Sequence, residues 1–521
     1  MSTIAMIAEG PPAAGARLTV VEPPLPATSV EYGTRRTLIV IGVMLASLLG
    51  RIDGTIVNVA LPTIQGNLGA SFDEVTWVII GYLMANVVVI PLTPWLAKRF
   101  GRRETFVTAI AGFTALSLLC ATATTVQELV LFRILQGAFA GGIDSTANTV
   151  LTSTFPPAKL GLAQSIFTLS AASAPPIGLL LGGILTDNLS WQWCFLINVP
   201  LGAAAVALLF GMLRNPAGGA VQQHPRIDAV GVALLATGPS LLVYFLSEGD
   251  RYDWFNDANL VLACVAGALT TIAFICWELY GTTEPIVDLR IFKYRRVAIG
   301  SVLAVGNAFV YLSTMVFLPQ YAQNVLGYTP TQSGVLVLMR TVLATMFVPI
   351  AGWLASRVDV RLLVGGGFLG MAIGGYWQSQ VMTPGTDFHA LLFPLMIAGI
   401  ANAFTFSPLF VAIIGGVPHS ERAKAAAITS VTIQLGGALA TAVLITSLHV
   451  RTAFHQAVLG SSMTASHLAV VEYVHRFGAA ALNALVEGQS VAFAYADVAV
   501  MIAIVALLTA PIAALLGGRD G

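Results

Sequence analysis

Residues 95–103 read Trp95-Leu96-Ala97-Lys98-Arg99-Phe100-Gly101-Arg102-Arg103. Residues 353–361 read Trp353-Leu354-Ala355-Ser356-Arg357-Val358-Asp359-Val360-Arg361, an offset of 258. Each is a short basic turn between long apolar runs. Leu61-Pro62 recurs as Leu318-Pro319 at offset 257, each followed by a Gln, an Asn and a Leu-Gly. Gly137 and Pro156 recur as Gly399 and Pro418 at offset 262. Offsets this similar over several elements mark an internal duplication. Parallel repeats about an axis normal to the membrane are a transporter architecture, with substrate between the halves.

The surroundings of these turns set the solvent. The chain has 521 residues, 56% hydrophobic and 10% charged, with 25 basic and 25 acidic side chains and a mean hydropathy of +0.83. A soluble domain carries about 25% charged residues, and a nucleic-acid binder needs a basic surplus. Disorder needs low hydrophobicity. A polytopic membrane protein remains, because a helix needs about 20 apolar residues to cross the bilayer core.

Fourteen such runs lie near 38–62, 75–97, 105–124, 129–152, 161–186, 194–213, 228–247, 258–280, 297–319, 333–355, 362–382, 390–415, 425–448 and 491–516. With a cytoplasmic N-terminus, 19 basic residues fall inside and three (Arg251, Arg451, Arg476) outside. By the positive-inside rule, both termini are cytoplasmic. The expected fold is therefore all-α, with six helices before residue 215, six after 290, and an inserted pair. Residues 1–37 read as a disordered cytoplasmic tail and 38–215 as the N-terminal six-helix half. Residues 216–282 read as linker plus inserted pair, and 283–521 as the C-terminal half with an extracytoplasmic segment at 449–490. In that segment Ser466 can cap a helix with an apolar side. The four cysteines and seven histidines lack metal-ligand spacing, so no metal or cofactor is expected.

At this point the chain resembles the major facilitator superfamily, specifically its fourteen-helix drug:proton antiporters of the EmrB/QacA type. Asp53-Gly54-Thr55-Ile56-Val57-Asn58-Val59-Ala60-Leu61-Pro62 matches the family's first-helix motif. Leu96, Arg99, Gly101, Arg102 and Arg103 match the 2–3 loop motif, with Lys98 at its usual acidic position. Arg133, Gln136 and Gly137 stand in the family's R-x-x-Q-G arrangement. Pro175, Gly178, Gly182 and Gly183 match the exporter motif, with Leu179 where proline is usual. Trp191, Trp193, Asn198, Pro200 and Gly202 match the 5–6 connection, and residues 284–292 match the segment after the inserted pair. The resemblance implies a proton-driven exporter of the inner membrane. In a double-membraned bacterium it also implies a periplasmic adaptor and an outer-membrane channel as partners.

A charge inside the membrane is a functional hypothesis by default. Asp53 and Arg133 both fall toward the outer ends of their helices, within reach of each other. A carboxylate with an intermittent arginine partner suits proton coupling. Asp144 lies eleven residues from Arg133, on one helix face within about 20°. Arg133, Gln136 and Asp144 thus read as a cavity wall, with Asp144 as a second proton site or a contact for a cationic drug. The alternative for Asp144 is a structural pair at a water-filled cavity. Arg340 lies inside the tenth helix with no adjacent acid, and arginine stays charged. It needs an anion, a water-filled cavity or an anionic substrate. Asn307, Tyr311, Asn402 and Gln434, with Phe406, are expected to line an adaptable pocket. Lys98, Arg99, Gly101 and Arg103 are expected to form a gating loop. Glu278 and Asp497, near helix ends, read as structural.

No lysine follows a glycine, so there is no Walker A motif and secondary transport is favoured. The first reading is proton-coupled export of hydrophobic or amphiphilic compounds. Alternatives are a dedicated exporter of an organic anion or metabolite, and a non-transporting sensor. No nucleophile–base pair suggests an enzyme.

Overall fold

A computed structural model of the chain describes residues 33–156, 160–215, 227–355, 357–418, 421–463 and 468–517. The long helices are α1 (Gly33–Leu68), α2 (Phe72–Phe100), α3 (Arg102–Thr122), α4 (Val126–Thr154), α5 (Leu160–Asn188), α6 (Trp193–Met212), α7 (Ala229–Glu248), α8 (Ala258–Gly281), α9 (Arg295–Asn324), α10 (Pro330–Ala355), α11 (Val360–Val381), α12 (Phe388–Gly415), α13 (Arg422–Ser462) and α14 (Ala479–Leu516). Among the described residues, 13 of these are long and apolar enough to cross a membrane. The remaining one is α5, with 29 residues. The chain is an all-helical, multi-pass membrane protein, as the fourteen apolar runs predict.

Local chemistry sets the breaks. Gly69 and Gly327, equivalent by offset 258, both adopt left-handed backbone (φ +60° and +66°), where a side chain is strained. Each stops the first helix of its half. Ser71 then caps α2, its hydroxyl accepting from the Glu74 amide while Glu74 reaches back to the Ser71 amide. Thr125 and Asp257 cap α4 and α8 one way only, accepting from the Glu128 and Leu260 amides.

Two apolar cores form. One is built mainly from α1–α6 and the other mainly from α9–α14. The duplication reappears as a packing rule. A Cβ on Gly137 would meet the Tyr82 carbonyl at 2.4 Å, and one on Gly399 would meet the Arg340 carbonyl at 2.3 Å. Each half therefore seats its second and fourth helices backbone to backbone through one glycine, and the fold makes Arg340 the counterpart of Tyr82.

The halves meet near the extracytoplasmic ends of their helices. Gln323 donates to the Val59 carbonyl at 2.9 Å, and the Thr331 amide donates to Asp187 at 2.7 Å. His449 lies 3.4 Å from Asp73. The inserted pair bridges the halves on one side. Glu248 of α7 accepts from the Trp77 indole of α2 at 2.9 Å, and the Leu246 carbonyl accepts from Thr446 of α13 at 2.5 Å. Leu262, Leu269 and Ile272 of α8 are exposed and face lipid.

One expectation is corrected. The tail was expected to reach residue 37, but α1 begins at Gly33, where Arg35 donates twice to the Met212 carbonyl at the end of α6. Residues 1–32 lie outside the described residues. The segment expected at 449–490 is largely helix, because α13 runs on to Ser462 and α14 starts at Ala479, with a short helix, Leu468–Phe477, between them. Its proposed cap Ser466 lies outside the described residues.

Candidate functional site

The N-terminal half encloses a polar cluster with no exposed member. Asp53 of α1 is 0% exposed and forms an ion pair with Arg133 of α4, which is 1% exposed. The other Asp53 oxygen accepts from Asn198 of α6 at 2.8 Å and from Gln136 of α4 at 3.3 Å. Gln136 also accepts from Arg133 at 2.7 Å and donates to Ser117 of α3 at 2.6 Å. The Arg133 guanidinium lies 4.1 Å from the Tyr82 ring centroid and donates to the Val78 carbonyl at 3.2 Å. A buried pair is tolerable only when its remaining donors and acceptors are satisfied, and four helices supply them here.

The expected neighbours Asp53 and Arg133 therefore lie together. Gln136, expected on the cavity wall, faces the bundle interior instead, since α4 turns this face toward α1 and α3. Sequence reasoning gave Asn198 no role in the cluster. Its only signal is its place in the 5–6 connection motif, and Ser117, a lone hydroxyl within Leu116-Ser117-Leu118, has none.

Asp144 lies apart from this cluster. It faces Arg51 at 3.2 Å with side chains 37% and 29% exposed, an ion pair at the edge of the half. Arg51 also stacks on Phe167 at 5.3 Å. Arg133, Gln136 and Asp144 thus do not form one wall.

The 2–3 turn is anchored within its own half. The Arg103 side chain donates to the Phe210 carbonyl at 2.7 Å and lies over the Phe210 ring, and its amide donates to Asn215 at 3.0 Å. Gly101 has φ +99°, a turn that favours glycine between α2 and α3. Arg99 and Lys98 lie in the last turn of α2.

The glycines of α5 serve two neighbours. A Cβ at Gly178 or Gly182 would meet the Ile52 or Ile56 carbonyl of α1 at 2.9 or 2.6 Å, while one at Gly183 would meet Thr331 of α10 at 2.6 Å. From the other side, a Cβ at Gly334 of α10 would meet the Leu179 carbonyl at 2.7 Å. Beginning at Pro175, this stretch is the seam between the halves.

In the C-terminal half Arg340 is 1% exposed. Its guanidinium lies 5.2 Å from the Tyr311 ring centroid, and one nitrogen makes a long 3.5 Å contact with the Tyr311 carbonyl. Its Nε and Nη2 have no hydrogen-bond partner, and no carboxylate pairs with it among the described residues. The oxygens of buried Asn307 and Asn402 are also unpartnered. Asn307 and Phe406 line one small cavity with Phe410 and Thr429. Gln434 is half-buried on α13. Glu278, expected as a structural residue near a helix end, is 0% exposed with both oxygens unpartnered, whereas Asp497 pairs with Arg451 and His455 at 2.5 and 2.6 Å.

Residues 43–441 match the family model described as Major Facilitator Superfamily. The chain is 36% identical over 431 residues to the multidrug export protein EmrB of Escherichia coli strain K12, covering 83% of this chain and 84% of that protein. It is 33% identical over 439 residues to the fatty acid resistance protein FarB of Neisseria gonorrhoeae, covering 83% of each. Its fold is similar to the inward-facing, occupied structure of a bacterial homologue of the human lysosomal transporter Spinster. There the TM-score is 0.62 at 16% identity, over 93% of this chain and 97% of that one.

Proposed function

The chain belongs to the major facilitator superfamily, and from that premise we propose that it is a proton-coupled antiporter of the inner membrane that exports hydrophobic or amphiphilic compounds by alternating access. The identity to EmrB over most of both chains supports multidrug efflux by a superfamily transporter rather than an enzyme. The single observation that carries proton coupling is the sealed cluster around Asp53. There Arg133 balances the Asp53 carboxylate, and Asn198 and Gln136 donate to it, in a site closed to solvent. In this arrangement the halves touch near their outer ends. When the halves rock the other way, α4 shifts against α1 and Arg133 withdraws. Asp53 then loses its counter-charge and takes a proton from outside. Return of the arginine expels that proton inward, so one substrate leaves per proton cycle. The proton gradient is the energy source, and no cofactor is required by this chemistry.

Partners follow from the same reading: lipid, the exported compound and, in a double-membraned bacterium, an adaptor and outer-membrane channel. A helix of 41 residues such as α13 is about 60 Å long, about twice the hydrocarbon core. The α13–α14 hairpin thus projects beyond the outer face, where an adaptor would meet it. Co-purification from native membranes tests this.

Proteoliposomes with an imposed pH gradient test the coupling. Uptake of a lipophilic dye that requires the gradient and collapses with a protonophore supports antiport. Uptake that persists after collapse refutes it.

A further inference from the structure

We propose that Arg340 is a carboxylate-recognition residue, and that the substrates this site takes are amphiphilic organic anions. The inference rests on the export reading and names a substrate class for it.

Guanidinium groups stay protonated, so burial does not remove the charge of Arg340. A buried cation needs an anion or a full set of hydrogen bonds. Arg340 has neither: two of its three nitrogens are unpartnered, and the third makes only the 3.5 Å contact to the Tyr311 carbonyl. The Tyr311 ring face offsets part of the cost.

The N-terminal half shows what is missing. There a buried arginine stacks on a tyrosine and also has Asp53. With the offset of 257 that relates Leu61-Pro62 to Leu318-Pro319, the position equivalent to Asp53 is Val310, which is 2% exposed. The position equivalent to Arg133, by the offset of 262 that relates Gly137 to Gly399, is Leu395, so the duplication has lost both members of the pair, and Arg340 stands where the first half has Tyr82, a buried cation with no acid built for it. A carboxylate arriving with the substrate fills that gap, and a planar acid matches the guanidinium fork in two parallel bonds.

The surroundings fit the rest of such a molecule. Arg340, Ala344 and Phe347 stand at i, i+4 and i+7 and share one face of α10. Phe347 lies 6.3 Å from Phe404 of α12, about 10 Å along the helix from Arg340. The chain direction of α10 puts this aromatic pair on the cytoplasmic side of the arginine. Asn402, one turn from the glycine that seats the Arg340 backbone, keeps an oxygen free for a protonated or hydroxylated head group. An amphiphile entering from the cytoplasm thus places its tail among aromatics and its acid on Arg340. Tyr311 is the group that must yield.

The test uses purified full-length protein in nanodiscs and three probes with one tail: dodecanoate, dodecanol and dodecyltrimethylammonium. Wild-type protein should bind dodecanoate about tenfold to hundredfold more tightly than dodecanol, the range of a charge-assisted hydrogen-bonded contact. Arg340→Gln should erase that preference while dodecyltrimethylammonium efflux from proteoliposomes continues. Arg340→Lys should retain part of it, because the charge stays and the fork is lost. Equal wild-type binding of dodecanoate and dodecanol overturns the proposal, whether or not Arg340→Gln folds. So does an undiminished preference in Arg340→Gln. If wild-type protein binds the probes but transports none, the export reading fails separately.

Discussion

Arg133 and Arg340 are both buried, both stacked on a tyrosine, and both sit in halves whose second and fourth helices meet through one glycine, yet only Arg133 has an acid beside it. The scaffold is thus duplicated and the chemistry is not. One half closes its charge within itself, which suits a cycle of proton capture and release. The other leaves its charge open, which suits a ligand from outside. Backbone packing and charge placement are separable, since Gly137 and Gly399 preserve the first while Asp53 and Val310 differ in the second.

The difference can be broken first at its two arginines. Arg133→Ala leaves Asp53 buried without a counter-charge and should cost about 3–5 kcal/mol in thermal melts. Arg340→Met removes a charge that has no acid partner, and should change stability by less than about 1 kcal/mol or raise it. Equal losses would erase the distinction. A finer probe is Asn198→Ala, which removes one hydrogen bond to the Asp53 carboxylate and should cost about 1.5–3 kcal/mol. The shared scaffold is tested by Gly137→Ala and Gly399→Ala. Each puts a Cβ against a carbonyl and should cost about 1–3 kcal/mol, similar in both halves. The smallest effect is expected at Asp144→Asn, below about 1 kcal/mol in a melt, because the Arg51 pair is partly exposed.

Much of this was legible in the sequence. Apolar runs of bilayer length gave every long helix, since lipid demands them. They misjudged the ends of α13 and α14, because hydropathy reports contact with lipid rather than helix. Both helices continue in water past Val450 and before Val491 on polar and alanine-rich turns. The pairing of Asp53 with Arg133 was readable from their shared depth. Which way Gln136 turned was not, because a helical wheel fixes angles within α4 and not the side on which α1 and α3 lie. The burial of Glu278 was hidden for a related reason, as its position near a helix end says nothing of what packs over it.

Proton coupling, as proposed, rests on Asp53. The direct measurement is substrate-driven proton flux in proteoliposomes, recorded with an internal pH dye for wild-type protein and Asp53→Asn, with substrate binding measured in parallel. Asp53→Asn should still bind substrate but lose the substrate-driven flux. Equal flux in the two proteins would contradict that role of Asp53.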